Sequence, residues 1–164
     1  MDRETLSIIA SASQAQAAVS RSSVSTPALG SNNCILLAED DGPLLGILSY
    51  VLQMEGFQVI TASDGFEALT LARREHPLVA VLDVVMPRMG GDDVCSAMRR
   101  DPELCSTFVV LISALPARQA ERIAREADAD LFLRKPVDHD LLLEIISSVF
   151  EHRAGRTATR VSAD

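Results

Sequence analysis

Between residues 33 and 150 the chain alternates short apolar runs with longer segments whose apolar residues recur at helical spacing. The runs Cys34–Ala38, Phe57–Thr61, Leu78–Leu82, Thr107–Ile112 and Leu131–Leu133 are mostly apolar and rich in β-branched residues. Near-continuous runs suit strands buried on both faces of a parallel sheet, because half-exposed strands alternate instead. Each run is followed by a helical pattern. Leu44, Leu45, Leu48, Val51 and Leu52 share one helix face, as do Leu142, Ile145, Ile146 and Val149. A second helix is predicted to start near Ser63-Asp64, where Asp64 and Glu67 stand at capping-box spacing. A third carries Val94, Ala97 and Met98, and a fourth Ala120, Ile123, Ala124 and Ala127. Five strand–helix units in this order predict an α/β fold, a (βα)5 doubly wound five-stranded parallel sheet.

The flanks read differently. Residues 1–32 are rich in Ala and Ser and hold one apolar cluster, Leu6 to Ala10, so a flexible leader is expected there. Its acidic start at Asp2 and Glu4 does not fit a secretory signal. Residues 151–164 read as a polar C-terminal tail, which leaves one domain at 33–150. The longest apolar runs fall far short of the ~20 residues of a membrane span, so no membrane insertion is expected.

Composition narrows the chemistry. Fifteen Lys+Arg against 23 Asp+Glu give a net charge of −8, which argues against direct nucleic-acid binding. Three cysteines without a CxxC pair argue against a disulfide framework and for reduced thiols in the cytoplasm. The three histidines show no metal-ligand spacing with them, which excludes a zinc centre. Neither GxxxxGK[ST] nor GxGxxG occurs, which removes the nucleotide-binding loops.

In open α/β sheets ligands bind beyond the carboxyl ends of the strands. The first predicted strand ends at Glu39, Asp40 and Asp41, the third at Asp83, the fourth at Ser113, and the fifth leads into Lys135. Lys135 is the only lysine among the 15 basic residues; the rest are Arg. A compact ammonium suits a phosphoryl or carboxylate oxygen in a tight site that a guanidinium fork would not fit. Glu39, Asp40 and Asp83 would converge if the first and third strands are neighbours. Clustered carboxylates repel unless a cation is present, and Mg²⁺ accepts one or two of them together with phosphate oxygens and water. Taken alone, the acidic triplet would be a solvated turn that caps a helix.

Four segments carry a family resemblance: Ile35-Leu36-Leu37-Ala38-Glu39-Asp40-Asp41, Val81-Leu82-Asp83-Val84-Val85-Met86-Pro87-Arg88-Met89-Gly90-Gly91, Leu111-Ile112-Ser113-Ala114 and Phe132-Leu133-Arg134-Lys135-Pro136. In this order and spacing they resemble the receiver domain of two-component response regulators, over residues 33–150. The resemblance implies a flavodoxin-like strand order. It also implies that Asp83 accepts a phosphoryl group from a histidine kinase or phosphotransfer protein. Glu39, Asp40, Asp83 and the Val85 carbonyl would hold Mg²⁺, while Ser113 and Lys135 would bind phosphoryl oxygens. Phe132 would be the switch aromatic, and Lys135–Pro136 matches a bond often cis in the family. A protein target would dock on the face of the fourth helix, fifth strand and fifth helix. With no effector domain in these residues, a stand-alone receiver is expected.

Some positions depart from the family pattern. Glu39 replaces one of two aspartates, and Gly90 stands where many relatives place an acidic or polar residue. Asp128 stands where a glycine is common before the fifth strand, and Asp can adopt a left-handed conformation at some cost. Val85 and Leu115, two residues after Asp83 and Ser113, are apolar and cannot orient a water through a side-chain hydrogen bond. That predicts a long-lived phosphorylated Asp83. Two rival readings are a phosphorylation-independent binding module and an aspartate-nucleophile phosphatase. The phosphatase would want a second acid where Val85 stands.

Overall fold

The computed structural model describes the backbone of residues 34–161 and the side chains of residues 34–153. The expected leader, residues 1–32, lies outside them. Five strands alternate with five helices: β1 (Cys34–Ala38), α1 (Gly42–Met54), β2 (Gln58–Ala62), α2 (Gly65–Glu75), β3 (Val79–Asp83), α3 (Gly91–Arg100), β4 (Phe108–Ser113), α4 (Ala117–Glu126), β5 (Leu131–Arg134) and α5 (His139–Val161). All pairings are parallel, in the order β2-β1-β3-β4-β5. The sheet belongs to one compact unit, Leu29–Asp138, and α5 to another.

The strand order explains the burial. Every residue of β1 and β3 is buried, and β4 exposes only part of Phe108, because these three strands have neighbours on both sides. The edge strands β2 and β5 are half-exposed. One sheet face carries Leu36, Ala38, Ala80, Leu82, Val109 and Leu111, packed with Ala68 and Ala72 of α2, Val94, Cys95 and Met98 of α3, and Ala124 of α4. The alternate residues Ile35, Leu37, Val79, Val81, Val110 and Ile112 are fully buried on the other face.

The last four strands end one residue later than the apolar runs predict: β2 at Ala62, and β3, β4 and β5 because the ladder continues into the first polar residue. Asp83 pairs in register with Ile112, and Ser113 with Arg134. Both polar side chains therefore stand on strand rather than loop, which limits their freedom. At the other boundary, α5 runs to Val161, into the residues read from the sequence as a polar tail. Once a helix is nucleated each added residue costs little, and Glu151, Arg153 and Ala154 are good helix formers without any apolar period.

Local chemistry starts the helices. Asp41 Oδ1 accepts a hydrogen bond from the Leu44 N–H (3.0 Å) at the start of α1. Asp64 Oδ1 accepts from the Glu67 N–H (2.9 Å) at the start of α2. The Glu67 carboxylate answers one residue earlier than a capping box would, accepting from the N–H and hydroxyl of Ser63 (2.9 and 3.0 Å). Asp128 adopts φ 58°, as its place before β5 required.

One side chain ties the amino ends of the strands together. Arg99, on the last turn of α3, donates to the carbonyls of Asp128 (2.8 Å), Cys105 (3.1 Å) and Thr107 (2.8 Å) and to Asp130 Oδ2 (2.6 Å). Asp130 Oδ2 also accepts from the Val109 N–H (2.7 Å). Arg99→Ala strands these acceptors and is expected to destabilise the fold by about 2–4 kcal/mol in urea unfolding. Arg99→Lys should recover only part of that loss, because a point charge cannot serve the fork.

Candidate functional site

Because β1 and β3 are neighbours, their carboxyl ends bring the acidic residues together. Glu39 follows β1 directly and its N–H donates to the Ala62 carbonyl (3.1 Å), which ties it to the end of β2. One carboxylate oxygen from each of Glu39, Asp40 and Asp83 lies within 4.8 Å of the others. Glu39 is fully buried and Asp83 nearly so, whereas Asp40 faces solvent. Lys135 enters from the end of β5, its backbone N–H donating to the Ser113 carbonyl (2.9 Å) and its peptide bond to Pro136 cis. Its Nζ stands 2.7 Å from Asp83 Oδ2 and 2.9 Å from Glu39 Oε1.

The other predicted residues surround this centre. The Val85 N–H donates to Asp83 Oδ1 (3.1 Å), so the two oxygens of Asp83 have different partners, an amide and an ammonium. The Val85 side chain is exposed. Ser113 is buried at the end of β4, and its hydroxyl oxygen accepts from the Leu115 N–H (3.1 Å), which leaves the hydroxyl proton to donate elsewhere. Phe132 is half-buried on β5 against the core that includes Ala124 and Ala127.

Electrostatics make the centre cation-seeking. With all four groups ionised, three carboxylates and one ammonium leave a formal charge of −3 + 1 = −2 in a partly desolvated space. Burial pushes the Glu39 carboxyl above its ordinary range, against the hydrogen bond from Lys135 and reinforced by the Asp83 charge. Burial would lower the Lys135 ammonium, but its hydrogen bonds to Asp83 and Glu39 outweigh that and raise it. Glu39 Oε2 is buried without an aligned hydrogen bond, although the ammonium is 2.7 Å away. An all-oxygen donor set with one under-used buried oxygen fits a hard divalent cation.

Three features of the site were not singled out from the sequence. Gly91 opens α3 against the back of Asp83, where a Cβ would collide with the Asp83 carbonyl; a second collision, with Met89, holds Gly65. Arg88 takes a left-handed φ of 66° and pairs with Asp64, which was read only as a cap. Gly90-Gly91 and Asp64-Gly65 are visible as turn chemistry, but no local pattern tells that they meet.

The raised pKa of Lys135 has a definite sign for stability. Its contribution is fully present below its ordinary value of 10.5 and is lost as pH rises through the higher folded value. Lys135→Met is expected to be less stable at neutral pH and to lose less than the parent as pH rises above ~10.5 in paired urea titrations. Parallel losses in the two proteins would overturn this account of the ion pair.

The comparisons agree with the geometry. The family model for the response regulator receiver domain matches residues 35–147. The response regulator PleD of Caulobacter vibrioides is 37% identical over 115 residues, which is 70% of this chain and 25% of PleD. The alkaline phosphatase synthesis transcriptional regulatory protein PhoP of Bacillus subtilis is 35% identical over 106 residues, 64% of this chain and 43% of PhoP. The chain thus spans less than half the length of these two relatives. Among solved structures, the chemotaxis protein CheY4 of Vibrio cholerae matches with a TM-score of 0.67 and 27% identity, over 71% of this chain and 98% of that one. Five parallel strands in the order β2-β1-β3-β4-β5, with an acidic centre at their carboxyl ends, place this chain in the response regulator receiver-domain family, the phosphoacceptor domains of two-component signalling.

Proposed function

We propose that Asp83 is the phosphoacceptor, charged by a phosphohistidine on a histidine kinase or phosphotransfer protein. The observation that carries this reading is the convergence of Glu39, Asp40 and Asp83 around the chain's only lysine, 2.7 Å from Asp83. An Asp83 oxygen attacks phosphorus in line. The P–O bond forms as the P–N bond breaks, and the imidazole leaves with that electron pair and takes a proton from solvent. Little covalent help is needed, so positioning and charge neutralisation supply most of the rate.

Each side chain has a part in that step. The Val85 N–H orients the Asp83 carboxylate through Oδ1. Lys135 exchanges its contact with Asp83 Oδ2 for a phosphoryl oxygen, and the free hydroxyl proton of Ser113 donates to another. Magnesium, held by Glu39, Asp40, Asp83 and the Val85 carbonyl, would neutralise the charge that carboxylates and phosphoryl group bring together. Moving Ser113 toward the phosphate biases the adjacent β5 and Phe132, so a target reads the change on the surface around Phe132, α4 and β5. The output is recognition rather than turnover. The thiols of Cys34, Cys95 and Cys105 are free, which fits a reducing compartment such as the cytoplasm.

Incubation with acetyl phosphate and Mg²⁺ should produce a shifted band in a phosphate-affinity gel. Asp83→Asn and EDTA should each abolish it, and a folded parent that never shifts would count against the reading. Val85 is exposed beside the acceptor and, like Leu115, offers no side-chain hydrogen bond to a hydrolytic water. Phosphorylated Asp83 is therefore expected to persist for minutes or longer at neutral pH once the donor is removed. Loss within seconds would show that water is oriented by something else.

A further inference from the structure

The loop from Val84 to Gly90 carries the backbone next to Asp83, yet its middle has few fastenings. The Val84 N–H donates to the Ile112 carbonyl (2.9 Å) at one end. At the other end Gly91 is pressed against the Asp83 carbonyl. Between them, the one backbone bond within the loop is from the Met89 N–H to the Pro87 carbonyl (2.8 Å), among the described residues. Arg88, at the centre, has a left-handed backbone that a side chain of its size rarely adopts. Its guanidinium Nη2 pairs with Asp64 Oδ2, although 66% of the Arg88 side chain is exposed. Asp64 is only 3% exposed and has both oxygens engaged, Oδ1 in capping α2 and Oδ2 with Arg88. Gly65, the next residue, lets the Met89 carbonyl lie directly against the start of α2. A buried carboxylate, a strained arginine and a backbone contact thus converge on one seam between the loop and α2.

We propose that Arg88 and Asp64 are a positioning pair for the phosphoacceptor site, seating the 84–90 loop on α2 so that the Val85 backbone is held for cation binding beside Asp83. The proposal rests on the phosphoacceptor reading above. Neither residue touches the acidic centre; they act through the loop. Strain at Arg88 persists because the buried carboxylate holds the side chain, so a glycine there would relax the backbone and release the loop together.

The test compares Arg88→Gly, Asp64→Asn and Arg88→Lys with the parent. Asparagine still caps α2 and glycine relieves the backbone, so both variants are expected to fold, each with a lowered melting temperature because the ion pair at the buried Asp64 is lost. Hydrogen exchange of the 84–90 amides should speed up several-fold in Arg88→Gly and Asp64→Asn. Mg²⁺ affinity, measured calorimetrically without any phosphoryl donor, should fall about 3- to 10-fold, less than the ~10- to 100-fold lost when a direct partner of a ligand is removed, because the pair acts through the loop. Arg88→Lys should restore most of the affinity. Unchanged exchange and affinity would overturn the proposal, and so would faster exchange with unchanged affinity, which would make the pair merely structural. A parent that neither binds Mg²⁺ nor accepts phosphate would overturn the phosphoacceptor reading instead, while unchanged exchange would still be evidence against the pair.

Discussion

A single ammonium bridging two of three clustered carboxylates governs this molecule. Lys135 contacts both Asp83 and Glu39 within 2.9 Å, and the net charge around it stays negative. Such a cluster is tolerable only where backbone geometry forbids the groups from separating. The parallel sheet supplies that: β1 and β3 are adjacent, so Glu39 and Asp83 leave the sheet at the same edge. The backbone bond of Lys135 to Ser113 brings the ammonium in from β5 across β4.

The sheet is also polarised in purpose. At the amino ends of β4 and β5, Arg99 gathers carbonyls and Asp130 into a network that secures connections and does no chemistry. At the carboxyl ends, polar residues remain under-satisfied or shared: Glu39 Oε2 lacks an aligned hydrogen bond, and the hydroxyl proton of Ser113 has no role in the bond from Leu115. Satisfied polar groups fix a structure, whereas unsatisfied ones at a sheet edge are available to a ligand. Close approaches at Gly91 and Gly65 make the intervening loop part of this edge rather than a loose connection.

Most of the acidic centre was legible because its residues terminate apolar runs. A carboxylate, a hydroxyl or the lone lysine at the end of a buried strand has few other places to point. The strand ladders nonetheless extend into Asp83 and Ser113, which a hydrophobicity pattern cannot register because pairing depends on the neighbouring strand. Asp64 was visible as a helix cap from its spacing to Glu67. Its pairing with Arg88, 24 residues away, was not, because nothing local to either residue signals it. The last helix outran its apolar stripe for a related reason: helix propagation needs propensity, not amphipathy.

Local periodicity, capping residues and the chemistry at strand ends are properties of neighbouring positions, so the order of residues by itself determined the five strand–helix units and the group that ends each strand. Which strands lie side by side, and therefore which of those groups meet, is decided by pairing over long sequence separations. Only the tertiary structure could set Lys135 between Glu39 and Asp83, press Gly91 against the Asp83 carbonyl, and fold Arg88 back onto Asp64. The physical reason is that each contact joins residues whose own surroundings would be satisfied equally well elsewhere; burial and strand order select the partner.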